Sequence, residues 1–96
     1  MKVELDLYFE WDDEKNNLLK SDSTRQNISF ESVVIALTKE ENLLDYIDSP
    51  THNWQKCYVI NINDYVYIVP FVQEWNKIFL KTIYPSRKYT KYYLNK

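Results

Sequence analysis

The sequence predicts an α+β domain: a strand, two helices, an antiparallel β-meander of three or four strands, and a C-terminal helix. Three observations carry that expectation. Apolar and charged residues alternate near the N-terminus, two short capped helical patterns follow, and from Tyr58 to Tyr84 apolar residues recur with the period of strands around tight turns. With 96 residues, 45% of them hydrophobic and 17% aromatic, the chain makes one small domain, residues 1–96, whose elements must share one core.

Val3, Leu5, Leu7 and Phe9 fall on one side of the first strand and Glu4, Asp6 and Tyr8 on the other, the pattern of a half-buried strand. Asp12 follows as an N-cap, and Asp13 and Glu14 place negative charge where the helix dipole favours it. A helix from about Asp13 to about Thr24 is therefore expected, with Leu18 and Leu19 as its apolar contacts. The chain has no Gly, so Asn or Asp must take left-handed backbone positions, and Asn27 falls where the first helix ends. Ser29 caps a second helix that buries Phe30, Val33, Val34, Leu37 and Ala36 and stops between Thr38 and Glu41.

Asn42 to Asp48 reads equally as a helical extension or as a short strand over Leu43 to Ile47, and Asp48 to Trp54 is a loop by composition. Tyr58, Ile60 and Ile62 then alternate with Val59 and Asn61. Asn63 and Asp64 supply a tight hairpin turn, Tyr65 to Val72 returns, and a second turn at Glu74 to Lys77 leads into a strand from Ile78 to Tyr84. Pro85 stops that strand and Ser86 caps a last helix, which Thr90, Tyr93 and Leu94 dock while Arg87, Lys88 and Lys91 stay outside. The first two helices are expected to cover one face of the sheet.

Composition excludes several classes. The longest apolar run, Tyr65 to Val72, is too short to cross a bilayer, and the N-terminus lacks the basic start and apolar run of a signal peptide, so a cytoplasmic location without a membrane partner is expected. One cysteine, Cys57, and one histidine, His52, allow neither an internal disulfide nor a zinc site built from Cys and His. No metal and no cofactor are expected. The net charge of −2 argues against a generic nucleic-acid binder, yet the charge is segregated. Residues 1–50 carry twelve carboxylates against five cations, whereas Lys77, Lys81, Arg87, Lys88, Lys91 and Lys96 are accompanied by no carboxylate from Lys77 onward. Phosphate binding responds to the field at the contact surface, so a local basic face remains available.

Three separated segments resemble the BrnT family of bacterial toxins, members of the wider RelE-like group of small ribonucleases. FEWDDEK, Phe9 to Lys15, looks like the family's aromatic, Trp-Asp and Lys opening at the strand-to-helix junction. TRQNISFES, Thr24 to Ser32, is similar to the turn between the two helices, and IYPSRKYTKYYL, Ile83 to Leu94, to the terminal strand, Ser-Arg-Lys junction and basic helix. There are departures. Where the family commonly has Lys-His-Gly this chain has Arg25, Gln26 and Asn27, and an Arg frequent in the last strand corresponds to Thr82. The resemblance implies the toxin of a type II toxin–antitoxin pair, a metal-independent RNA endonuclease that inhibits translation, with RNA as substrate and a small DNA-binding antitoxin as partner. An acidic antitoxin segment would meet the basic region from Lys77 to Lys96.

Cleavage of RNA without a metal needs a base for the 2′-hydroxyl, stabilisation of the phosphorane's charge, and an acid for the leaving 5′-oxygen. Arg87 is the candidate for the charge, because its planar fork makes two hydrogen bonds to phosphate oxygens and it falls just inside a helix start. Lys88, Lys81 and Arg25 are candidates to complete a cationic cradle, and Tyr84 to position or donate a proton. Its ordinary pKa of about 10 makes Tyr84 a poor base, so the general base is unassigned. Lys91, Tyr89, Tyr93 and Lys77 are candidate nucleic-acid contacts, and Tyr92 joins Tyr89 and Tyr93 as a residue that could stack on bases, since aromatics among cations suit single strands.

Each of these residues also has a plainer reading. The helix cations serve as solubilising charges that favour the helix dipole, the tyrosines line a protein interface, and Trp11 anchors the core. Asp12, Asp13 and Glu14 read as helix-start charges. The alternative function is a non-catalytic protein-interaction module on the same fold.

Overall fold

The computed structural model describes residues 7–49, 52 and 55–96. Of the sequence expectations, the strand residues before Leu7 and the loop residues Pro50, Thr51, Asn53 and Trp54 lie outside that range. The elements run β1 (Tyr8–Glu10), α1 (Asp13–Lys20), a 3₁₀ turn (Ser23–Arg25), α2 (Phe30–Leu37), a second 3₁₀ turn (Glu40–Asn42), β2 (Leu43–Asp48), β3 (Lys56–Ile62), β4 (Tyr65–Glu74), β5 (Lys77–Leu80), β6 (Tyr84–Pro85) and α3 (Arg87–Leu94). This is the α+β order expected from the sequence. One sheet holds all the strands in the order β1-β5-β4-β3-β2, with β6 also on β4. From β2 to β5 consecutive strands pair antiparallel, whereas β1 joins the far edge parallel to β5, with Tyr8 opposite Lys77.

Local chemistry sets the boundaries. The Asp12 carboxylate accepts from Lys15 N at 3.0 Å to start α1, and the Ser29 hydroxyl accepts from Ser32 N at 3.1 Å to start α2. α1 ends at Lys20 rather than near Thr24. Asp22 there caps the 3₁₀ turn through Thr24 N, and the Asn27 side chain donates to Lys20 O at 2.7 Å. Gln26 and Asn27 both have positive φ, 58° and 54°, as a chain without Gly must arrange. Asn63 and Asp64, at 53° and 67°, form the expected hairpin turn with both central residues left-handed. After α2, Asn42 donates to Ala36 O at 3.1 Å, which closes the helix and lets Leu43–Asp48 run as a strand.

Leu18 is corrected from an apolar contact to an exposed residue, 70% accessible, whereas Leu19 is buried. Adjacent helical positions point about 100° apart, and the narrow buried face of α1, formed by Asn16 and Leu19, leaves Leu18 on the solvent side. Asn16, one turn earlier on the facing side, is the residue buried with Leu19. Its carboxamide oxygen accepts from Phe30 N at 2.8 Å, and its nitrogen donates to Glu31 Oε1 at 2.7 Å. A side chain of α1 thus caps the first turn of α2.

The core lies between α1 and α2 and one face of the sheet. Leu19, Ile28, Phe30, Val33 and Ala36 pack on Tyr58, Ile60, Ile62, Tyr67, Val69, Phe71, Ile78, Leu80 and Ile83. Trp11 stacks on Phe30 with centroids 5.7 Å apart, the role of a core anchor. On the opposite face Cys57, Val59, Val66 and Ile68 are buried too, and α3 packs on that side against β4. With both faces occupied, β3 and β4 read as nearly continuous apolar runs.

The last strand is also corrected. It splits into β5 and β6 where Phe71 pairs with Leu80 and Ile68 with Tyr84, so that two residues of β4 face three on the edge, Lys81, Thr82 and Ile83. The extra residue is a β-bulge, which bends the strand and re-aims the chain as it runs on into β6 and α3.

Trp75, at the β4–β5 turn, has φ 58° and is 91% exposed. A bulky residue there carries about 1–2 kcal/mol of backbone strain. Gly removes that strain but adds about 0.4–1 kcal/mol of unfolded-state entropy. Trp75→Gly is accordingly expected to raise stability by about 0.5–1 kcal/mol, measured as a higher midpoint in urea.

No helix among the described residues is long and apolar enough to cross a membrane.

Candidate nucleic-acid interface

The bulge and the start of α3 define the region in which the C-terminal cations gather. Ser86 N donates to Val66 O at 2.9 Å, ending the strand pairing, and Ser86 Oγ accepts from Tyr89 N at 3.1 Å, starting the helix. Thr90, buried, fixes α3 to the sheet: its hydroxyl accepts from Val66 N at 2.9 Å and donates to Ser86 O at 2.7 Å. Arg87, Lys88 and Lys91 are left exposed, as the sequence predicts.

Strand alternation assigns the other cations. Ile78 and Leu80 point into the core, so Lys77, Phe79 and Lys81 point to the α3 side of the sheet. Lys81 Nζ lies 5.4 Å from the Phe79 ring centroid, in keeping with a shared face. Tyr84 is on the same side, partly buried, and its phenol titrates above the ordinary value. Burial is the main cause, with Cys57 and Tyr89 adding to it. Five cations, Lys77, Lys81, Arg87, Lys88 and Lys91, therefore share one side of the molecule with Tyr84, where Glu74, paired with Lys77, and Glu10, paired with Phe79, also point.

Arg25 does not join them. Its Nη1 donates to Ile83 O in the bulge at 3.0 Å, and its Nε lies 3.6 Å from Asp22 Oδ2. Beside it, Gln26 Oε1 accepts from the Tyr67 hydroxyl at 2.9 Å. The α1–α2 turn is thereby bolted to the β4–β6 edge, which fixes the direction in which the chain enters α3. Arg25→Ala leaves the Ile83 carbonyl without its charged donor. About 2 kcal/mol of stability should be lost, discounted for partial exposure, and the readout is a lowered urea midpoint at unchanged slope.

The tyrosines of α3 divide by role. The Tyr93 hydroxyl donates to Asp45 Oδ2 on β2 at 2.8 Å, and its pKa is pushed up to about 12 by desolvation and by that bond. Tyr93 is thus a docking residue, and Tyr89 lies beside it, 5.9 Å between centroids. Tyr92 is 74% exposed. Counting helical positions outward from the inward-facing Thr90 and Tyr93 separates Tyr92 from the other two tyrosines expected to stack on bases.

Two cations, Arg87 and Lys88, occupy the first turn of α3, which has no acidic residue, so they oppose the helix dipole instead of favouring it. Lys91, in the last turn, does favour it. His52 is exposed, and its carbonyl accepts from Gln55 N at 3.1 Å. Among the described residues no three His, Cys, Asp or Glu side chains come together as a metal site. No family model, no curated protein and no solved structure matches the chain.

Proposed function

We propose that this chain is the toxin of a type II toxin–antitoxin pair: a cytoplasmic, metal-independent RNA endonuclease that arrests translation until its antitoxin covers the basic side. The family reading rests on the resemblance of the three segments to BrnT toxins. The observation that carries the functional reading is the gathering of Lys77, Lys81, Arg87, Lys88 and Lys91 on one side of an acidic protein. Arg87 and Lys88 hold their positions against the helix dipole, and such a conflict with a local rule is what a bound anion would relieve.

In the proposed reaction the 2′-oxygen attacks phosphorus, the bond to the 5′-oxygen breaks, and a cyclic phosphate forms. The proton of the 2′-hydroxyl passes to a base and another is delivered to the departing oxygen. Arg87 stabilises the phosphorane's charge, Lys88 and Lys81 hold adjoining phosphates, and Tyr84, with its raised pKa, supplies or positions the proton on the leaving side. Arg25 acts indirectly, through the bulge carbonyl that sets the entry to α3.

The test is incubation of the purified chain with labelled RNA, with and without ribosomes, alongside induced expression in a bacterial host. Cleavage in either reaction together with growth arrest supports the toxin. A second reading, a non-catalytic interaction module, is favoured by Arg25 and Gln26, whose polar groups are engaged within the fold. That reading takes over if RNA stays intact in both reactions and growth continues.

A further inference from the structure

Building on the RNA reading, we infer that the outer face of α3 holds a base-stacking subsite for single-stranded RNA, formed by Tyr92 and braced through Tyr93 by Asp45 of β2. The brace starts from the backbone. Asp45 Oδ1 accepts from Tyr46 N at 2.7 Å while Oδ2 accepts from the Tyr93 hydroxyl at 2.8 Å, so the carboxylate ties the end of α3 to the sheet edge. Tyr92 meets Tyr93 edge to face, with centroids 4.8 Å apart and planes at 89°. Its ring is therefore held by an anchored neighbour and is still 74% open to solvent.

The surroundings of that ring select the occupant. A depression of about 360 Å³ is lined by Lys88, Tyr89, Lys91 and Tyr92, its surface almost wholly apolar and made of two aromatic rings and the stems of two lysines. Lys88 Nζ lies 5.7 Å from the Tyr89 ring centroid. α3 itself carries no carboxylate, so the helix's own charged side chains are all cationic, with Asp45 of β2 tied up by Tyr93 at its far end. An acidic peptide would use the lysines and leave the Tyr92 ring without a planar partner. A nucleotide uses both, its phosphate on a lysine and its base on the ring. Tyr93 and Asp45 act as positioning residues, because they set where that ring stands without touching the RNA.

The probe is a short single-stranded 2′-O-methyl RNA, which cannot be cut through its 2′-hydroxyl, compared with an abasic oligomer of the same length and charge. The full wild-type chain should bind the base-bearing oligomer about tenfold more tightly, the scale of one base stacked on an aromatic ring. Tyr92→Ala should lose that preference yet keep the abasic affinity and its salt dependence, and Tyr92→Phe should retain it. Tyr93→Phe and Asp45→Ala should reduce the preference part way with unchanged circular dichroism, which a general loss of structure would not do. Equal binding of both oligomers by the wild type, or an undiminished preference in Tyr92→Ala, overturns the stacking site and leaves the RNA reading standing. No binding of either oligomer overturns the stacking site, and the RNA reading then rests on the cleavage reaction with ribosomes. Tyr92-dependent binding of a glutamate-rich peptide in place of the oligomers overturns the site in favour of a protein partner.

Discussion

Arg87→Ala is expected to abolish growth arrest on induced expression and to lower RNA cleavage by about 10²–10³-fold, the loss seen when a main donor to a developing negative charge is removed. The fold should survive. Arg87 is exposed at the first position of α3, and its side chain makes no hydrogen bond or ion pair among the described residues. Its removal also takes one cation away from the unfavourable end of the helix dipole, so stability should hold or rise by about 0.3–1 kcal/mol. Arg87→Lys separates charge from geometry: an ammonium keeps the field but cannot form the two parallel bonds of a guanidinium, and an intermediate rate is expected. Full toxicity in Arg87→Ala would remove Arg87 from the site.

Asn16→Ala should cost about 3 kcal/mol, the largest stability effect expected of a polar residue here. Phe30 is fully buried, and its backbone N–H has the Asn16 side chain as acceptor. Leaving such a donor unpaired costs about 1–3 kcal/mol, and the bond to Glu31, half exposed, adds a smaller share. Asn16→Leu fills similar volume but leaves the same donor unpaired, so it should be nearly as damaging; a mild effect there would show that packing and not the hydrogen bond matters.

The Asn16 effect depends on pH. The Asn16 bond is the main cause, and Lys20 a lesser one, that hold the Glu31 carboxyl below its ordinary value. A depressed folded value means stability that is present above the ordinary carboxylate range and is lost as pH falls through the lowered value. The penalty of Asn16→Ala should therefore be smaller in acid than at neutral pH. Urea midpoints at the two pH values measure it.

What the sequence made legible was local. Asp12, Ser29 and Ser86 cap the helices they were expected to cap, Asn63 and Asp64 make the turn, and the alternation through Tyr58 to Ile62 gives the face that meets α2. The expected cations of the last helix are exposed. The features that escaped depend on residues far apart in the chain. Asn16 carried no signal in the sequence because its partners are 14 and 15 residues away. The bulge at Lys81–Ile83 left no local mark, because its Ile83 carbonyl is held by Arg25 from 58 residues earlier. That same bond moves Arg25 from an expected phosphate ligand to a structural tie. Leu18 misled for a geometric reason: the buried face of α1 runs through Asn16 and Leu19, and Leu18 stands to the side of it.

The parallel seam between β1 and β5 has a consequence for how the chain comes off the ribosome. Residue 8 finds its neighbour only when residue 77 has been made, and β5 in turn needs β4 beside it. The N-terminal strand must therefore wait, without its hydrogen-bonding partner, through most of synthesis. Closing that contact joins residues 69 positions apart and raises the contact order, which slows folding. The basic helix follows β5 and β6 in the chain, so the cationic side is complete only when both the sheet edge and α3 are in place.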